Sequence, residues 1–167
     1  LQIIKTCESL SKSNFSVTLI KPGTGNKKFS IKNYYGLTQN VNIKEFVNFK
    51  KFPKGLEFYL YSFACLFFIL KKKKSLTITR NYFVCYLLLL FNQKVILEIH
   101  HDTIIEGRIT KFILKYLNFL NDNNLINIVA ITNAVKNLFV NKYKVISKKI
   151  TVLPSGSSIK INYSVKL

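Results

Sequence analysis

The sequence predicts an α/β domain: a doubly wound, mostly parallel sheet with helices on both faces. Short apolar runs of strand length alternate with longer runs of helical spacing along the whole chain. One of the short runs, Val95 to Ile99, is apolar at nearly every position, as a strand buried on both sides requires. Length and composition suit one packed domain, with 167 residues, 49% of them hydrophobic and 14% aromatic. Elements that alternate in this manner bury their apolar sides by layering helices on a parallel sheet.

Each element has its own signal. Leu1 to Ser11 places Leu1, Ile3, Ile4, Cys7 and Leu10 at helical spacing. Phe15 to Ile20 is a β-type run, closed by Lys21-Pro22-Gly23. Thr24 to Gly36 is polar, carries Gly25 and Gly36, and reads as loop. Val41 to Phe46 alternates weakly and reads as a strand, and Phe52-Pro53-Lys54-Gly55 breaks the chain. Leu56 to Leu70 is a helix, Ser75 to Thr79 a short strand, and Asn81 to Phe91 a second apolar helix with Arg80 at its mouth. His100-His101-Asp102 follows the run Val95 to Ile99.

Ile104 to Leu120 reads as one helix, because Ile109, Phe112, Ile113, Tyr116, Leu117 and Leu120 recur at spacings of three and four. Ile128 to Ile131 is a buried strand, and Thr132 is the N-cap of a helix from Asn133 to Tyr143. Ile150 to Leu153 is the last strand, ended by Pro154-Ser155-Gly156. A doubly wound sheet starts on a strand, whereas this chain opens on a helix and contains no methionine. The expectation is a first strand upstream of Leu1.

Charge narrows the partners. Lys and Arg number 26 against 7 Asp and Glu, a net +19, which attracts polyanions such as nucleic acid, an anionic membrane or phosphate-bearing substrates. Arg80 and Arg108 are the only arginines, which disfavours reading of DNA bases. The run Lys71 to Lys74 directly follows Leu56 to Leu70. That apolar stretch is shorter than the roughly 20 residues a membrane span needs, and Glu57 lies in its first turn. It reads first as a buried helix whose basic carboxyl end suits the helix dipole, with peripheral membrane contact and a membrane span as the alternatives. Cys7, Cys65 and Cys85 form no CxxC pair and read as buried, reduced thiols. With two histidines, they leave little for a zinc site.

Ligands of open α/β sheets bind beyond the carboxyl ends of the strands, and polar residues stand at those places here. They are Arg80; Glu98, His100, His101 and Asp102; Thr132 and Asn133; Ser155 and Gly156. A histidine there can move a proton near neutral pH or hydrogen-bond a sugar hydroxyl. Alternation points His100 and His101 to opposite sides, so one of them faces the cleft. Glu98 sits inside an apolar run, and a lone buried carboxylate is costly, so it needs a partner; Arg80 at the neighbouring strand end is the candidate. Lys21-Pro22-Gly23-Thr24-Gly25 lacks the order of a phosphate loop or dinucleotide fingerprint. Ser155-Gly156 lacks the Gly-x-Ser-x-Gly frame of a nucleophile elbow.

Several segments together resemble glycosyltransferases of family 4. Ile78-Thr79-Arg80, an apolar helix, and Val95-Ile96-Leu97-Glu98-Ile99-His100 resemble the family's "strand-T-R, helix, V-I-x-E-x-H". Asn127 to Lys136 resembles its "vaiT/S-x-x-l-k" segment, and Lys149 to Gly156 its "k-i-x-V-l-p-n-G" segment. Ser9 to Lys12 through Val17 to Ile20 resembles its first helix and second strand. The resemblance spans nearly the whole chain and implies one Rossmann-like half of a GT-B enzyme, the amino-terminal, acceptor-side domain. It assigns residues 1–156 to that domain and 157–167 to the start of an interdomain linker.

The resemblance further implies transfer of a hexose from a nucleotide-sugar to a glycan or lipid-linked acceptor, with retention, and no cofactor besides that donor. His100, or His101 under an alternative alignment, is then the catalytic-site histidine that approaches the donor sugar. Arg80 and Glu98 hold the strand ends, and Asp102 and Thr103 border the acceptor. Thr132, Asn133, Ser155 and Gly156 complete the rim. The family's early glycine-rich loop and its carboxy-terminal donor domain are not in this sequence, so the isolated chain is expected to be inactive. A cytoplasmic location is expected, with peripheral contact at the inner face of the membrane. The rival reading is a non-catalytic basic module that binds a membrane surface or nucleic acid.

Overall fold

The computed structural model describes residues 2–23, 41–46, 55–72, 75–101 and 107–154. In chain order the elements are α1 (Gln2–Lys12), β1 (Thr18–Pro22), β2 (Asn42–Phe46), α2 (Leu56–Leu70), β3 (Thr77–Thr79), α3 (Tyr82–Leu90), β4 (Val95–Ile99), α4 (Arg108–Tyr116), β5 (Leu125–Ala130), α5 (Asn133–Tyr143) and β6 (Ile150–Val152). Short 3-10 turns at Phe119–Asn121 and Ser147–Lys149 lead into β5 and β6. All strand pairs are parallel, and the fold is a Rossmann-like α/β fold.

The strands form two sheets: β1 beside β2, and a four-stranded sheet in the order β3-β4-β5-β6. Both sheets are parallel, as the alternation of elements predicts. Among the described residues β1 pairs only with β2, and β3 only with β4 on its one bonded edge.

Helix α2 ties the two sheets together. Gly55 starts it at a φ of 95°, in the region that suits a residue without a Cβ. Towards β1 and β2, the Phe46 ring meets Tyr61 and Phe68 edge-on, and the Tyr61 hydroxyl donates to the Ile20 carbonyl at 3.3 Å. Towards the larger sheet, Phe58, Tyr59 and Phe63 surround Phe83 of α3. Helix α3 is apolar on all sides and correspondingly buried, from Tyr82 to Cys85 and from Leu87 to Leu89. Each large side chain so buried contributes about 1.5–3 kcal/mol.

The core lies between this helical layer and the face of β4 and β5 that carries Val95, Leu97, Ile99, Ile128 and Ala130, all essentially sealed. Phe139 of α5 is wholly buried there and stacks on Tyr82. The alternate residues of β4, Ile96 and Glu98, are half-buried on the opposite face. Because strand side chains alternate, β4 presents a dry face to the helices and a polar-tipped face to the other side.

Several boundaries differ from the sequence reading. Strand β1 spans Thr18–Pro22, starting later than the expected Phe15 and continuing through Lys21-Pro22 beyond the expected end at Ile20. Asn42 N–H donates to Val17 and Gly23 N–H to Phe46, so the odd-numbered residues of β1 bond β2. Pro22 points its missing N–H away from that ladder and loses nothing by it. The helix expected over Ile104 to Leu120 is α4 alone within the described residues; Asn118 turns left-handed at a φ of 44°, and Leu120 belongs to the 3-10 turn. Strand β5 starts at Leu125, three residues before the expected Ile128, because Leu125 and Asn127 pair with Val95 and Ile96 of β4; the Asn127 side chain bonds Thr151. The loop expected over Thr24 to Gly36 lies outside the described residues.

Candidate functional site

The site is built at the carboxyl ends of β3 and β4. The parallel register places Thr79 beside Leu97, so the next residues along, Arg80 and Glu98, face one another across the two strands. Arg80 is held in a tight local turn. The Asn81 N–H donates to Thr79 Oγ1 at 3.1 Å, and Asn81 Oδ1 accepts from the Val84 N–H at 3.0 Å as the N-cap of α3. The chain therefore leaves the strand, shows one residue to the rim and enters the helix.

The guanidinium of Arg80 reaches Glu98 in a two-pronged pair, Nε to Oε2 at 2.9 Å and Nη2 to Oε1 at 2.8 Å. This fork geometry is the strong form of the ion pair. His100, two residues beyond Glu98 on the same side of the chain, brings Nε2 to 2.8 Å from Oε1. Side-chain exposures of 32% for Arg80, 19% for Glu98 and 22% for His100 place all three at a rim. At that exposure the Arg80–Glu98 pair contributes on the order of 1 kcal/mol after screening.

Electrostatics set the protonation pattern. Partial burial pushes the Glu98 carboxyl up. Hydrogen bonds from Arg80 and His100, reinforced by their charges, pull it down by more, so Glu98 lies below the ordinary carboxylate range. An ionised carboxylate only accepts hydrogen bonds. The proton between the two residues is therefore on His100 Nε2, and in the neutral ring Nδ1 is the free lone pair. The carboxylate fixes the tautomer and the ring plane, the relation that a buried carboxylate has to histidine in general-base dyads. The arrangement can accept a proton or hydrogen bond from a ligand hydroxyl at Nδ1.

The other expected residues fall into three groups. His101 follows immediately, exposed and past the end of β4. Thr132 is the N-cap of α5, its Oγ1 accepting from the Val135 N–H at 3.2 Å, and Asn133 is the exposed first residue of that helix. The structure brings Thr132 to the carboxyl end of β5, yet its hydroxyl serves its own helix. Asp102, Thr103, Ser155 and Gly156 lie outside the described residues.

The Glu98–His100 contact and the Asn81 cap were missed in the sequence. Both had a signal. Residues two apart on a strand share a face, and an asparagine just before an apolar helical run is a standard cap. The cysteines take no part. Burial pushes the Cys7 and Cys85 thiols up, and it pushes Cys65 up to about 11, so all three are protonated and unreactive at neutral pH. A depression of about 320 Å³ lined by Tyr86, Leu90, Asn118 and Asp122 sits at the opposite end of the sheet, where α3 and α4 end. It has no connection to the Arg80–Glu98–His100 group. No family model matches the chain, and no curated protein matches it either.

Proposed function

We propose that this chain is the amino-terminal, acceptor-side half of a retaining glycosyltransferase, which moves a hexose from a nucleotide-sugar to a glycan or lipid-linked acceptor. The observation that carries the reading is the Arg80–Glu98–His100 group at adjoining strand ends, where an α/β sheet holds its ligand. The sequence resemblance to family 4 supports it from a second direction, since the resembling segments contain these three residues.

In this reading His100 Nδ1 bonds a hydroxyl of the sugar, with the ring held by Glu98 and Glu98 held by Arg80. The resemblance assigns Asp102 and Thr103 to the acceptor and Thr132, Asn133, Ser155 and Gly156 to the rim, with His101 as the alternative donor-side histidine. The donor's diphosphate is stabilised by a partner domain, so that most transition-state stabilisation is electrostatic and comes from outside this chain. The parent acts in the cytoplasm, at the inner face of a membrane.

The test is hexose transfer from a panel of nucleotide-sugars by a protein that joins this chain to a carboxy-terminal donor domain. His100→Ala and Glu98→Gln are each expected to lower the rate by about 10²-fold, the effect of removing one positioned hydrogen-bonding group. Rates near normal in both variants overturn the role of this group. Transfer by the 167-residue chain alone overturns the two-domain arrangement.

A further inference from the structure

We propose that the outer surface of α2 and α4 is a docking face for an anionic lipid surface. Both helices turn one side inward: Cys65, Leu66 and Ile69 of α2, and Ile113 and Leu114 of α4, are buried. Both also carry an exposed apolar stripe, which on α2 borders the packed side, since one edge of Phe63 meets Phe83. On α2 it is Leu56, Phe63 and Phe67, separated by seven and four residues, with Phe67 63% exposed. On α4 it is Ile109, Phe112 and Tyr116, separated by three and four, with Phe112 57% exposed. These spacings keep each stripe on one line of its helix.

The two stripes belong to one layer. Each helix packs on α3, and the Tyr59 hydroxyl of α2 lies 3.7 Å from where a Cβ on Gly107, the residue before α4, would stand. Cations border both stripes. Lys71 and Lys72 follow α2 and are exposed, and Lys72 lies over the Phe68 ring at 5.6 Å. Arg108, Lys111 and Lys115 flank the stripe on α4, and Lys115 lies over the Tyr116 ring at 5.0 Å. Glu57, the acidic residue of α2, is half-buried and stands off the stripe.

Charge complementarity selects the occupant. A net +19 on each molecule opposes a second copy on this face and favours a polyanion. Aliphatic and aromatic side chains ringed by lysine suit the boundary between headgroups and acyl chains. No helix among the described residues is long and apolar enough to cross a membrane, so the contact is one of lying on the surface. This inference stands on the surface alone. A chain with no catalytic role can satisfy it; its failure removes the membrane location from the sugar-transfer reading and leaves the Arg80–Glu98–His100 group untouched.

The experiment is co-sedimentation of the full 167-residue chain with vesicles of phosphatidylcholine, alone or with about a quarter phosphatidylglycerol. The expected result is binding at least about tenfold stronger to the anionic vesicles, weakened by salt. Phe67→Ser with Phe112→Ser, both exposed, is expected to weaken that binding at least about tenfold with an unchanged circular dichroism spectrum. Lys71→Glu with Lys72→Glu is expected to reduce the preference for anionic lipid. Equal binding to both vesicle types, absence of binding, or full binding by the double serine variant overturns the proposal. So does tighter binding to duplex DNA than to the anionic vesicles.

Discussion

The carboxyl ends of β3 and β4 differ from that of β5 in what their polar residues do. All three strands lead into hydrogen-bonding side chains. At β3 and β4, Arg80, Glu98 and His100 bond to one another across two strands. At β5, Thr132 bonds its own helix, and the cross-strand contact between β5 and β6, Asn127 with Thr151, lies within the strands on an exposed surface. A polar residue at a strand end is thus accounted for by local structure when it caps the next helix. It becomes a candidate for chemistry when its partners come from elsewhere in the sequence.

The largest effect separates the fold from the site. Leu97 is wholly buried on the helix side of β4, next to Glu98, which faces the other way. Leu97→Ala is expected to cost about 2–5 kcal/mol in urea unfolding. The Arg80–Glu98 pair is expected to survive that change, because it stands on the opposite face. Loss of the pair in the variant's spectra breaks the separation of the two faces.

Next comes the pair itself. Glu98→Gln is expected to cost roughly 1–2 kcal/mol at neutral pH. Glu98 is held below its ordinary value of about 4.5 in the folded chain, so its stabilisation is complete above that value and is lost as pH falls through the lower folded pKa. The stability gap between the native chain and Glu98→Gln therefore closes on acidification below about pH 4.5. A gap that stays constant to pH 3 contradicts the charge-based origin of the pair.

The caps sharpen the comparison. Thr132→Ala and Asn81→Ala are each expected to cost about 1 kcal/mol, because each removes one side-chain cap. They differ in reach. Asn81→Ala also loosens the turn that presents Arg80 and is expected to shift the His100 resonances, while Thr132→Ala leaves them unmoved. The smallest effect belongs to the exposed cross-strand pair: Thr151→Val is expected to change stability by less than about 0.5 kcal/mol.

Much of this frame is legible in the residues, and the physical reasons for the rest are specific. Leu56 to Leu70 and Val95 to Ile99 coincide with α2 and β4, since long or uniformly apolar runs bounded by breakers leave little choice. The Thr132 cap and the Arg80–Glu98 pairing follow from single-residue chemistry, an unsatisfied helix end and a carboxylate in an apolar run. Asn118 shows the opposite case. The apolar spacing runs on through Leu117 and Leu120, and only the left-handed backbone at Asn118 reveals that the helix has ended. The order of the strands, and their division into two sheets, depends on contacts far apart in the chain that no local pattern encodes. The Glu98–His100 contact needed one more step, pairing the alternation of the strand with the acidic residue two positions earlier.

The orientation of His100 is the point on which the site depends. Its tautomer can be read from long-range proton–nitrogen correlation spectra of the imidazole, recorded above the pH at which the ring is charged. The bond to ionised Glu98 predicts the proton on Nε2, and predicts that Glu98→Gln and Arg80→Ala alter the balance between the two tautomers. A ring protonated on Nδ1, or spectra identical in all three proteins, contradicts it.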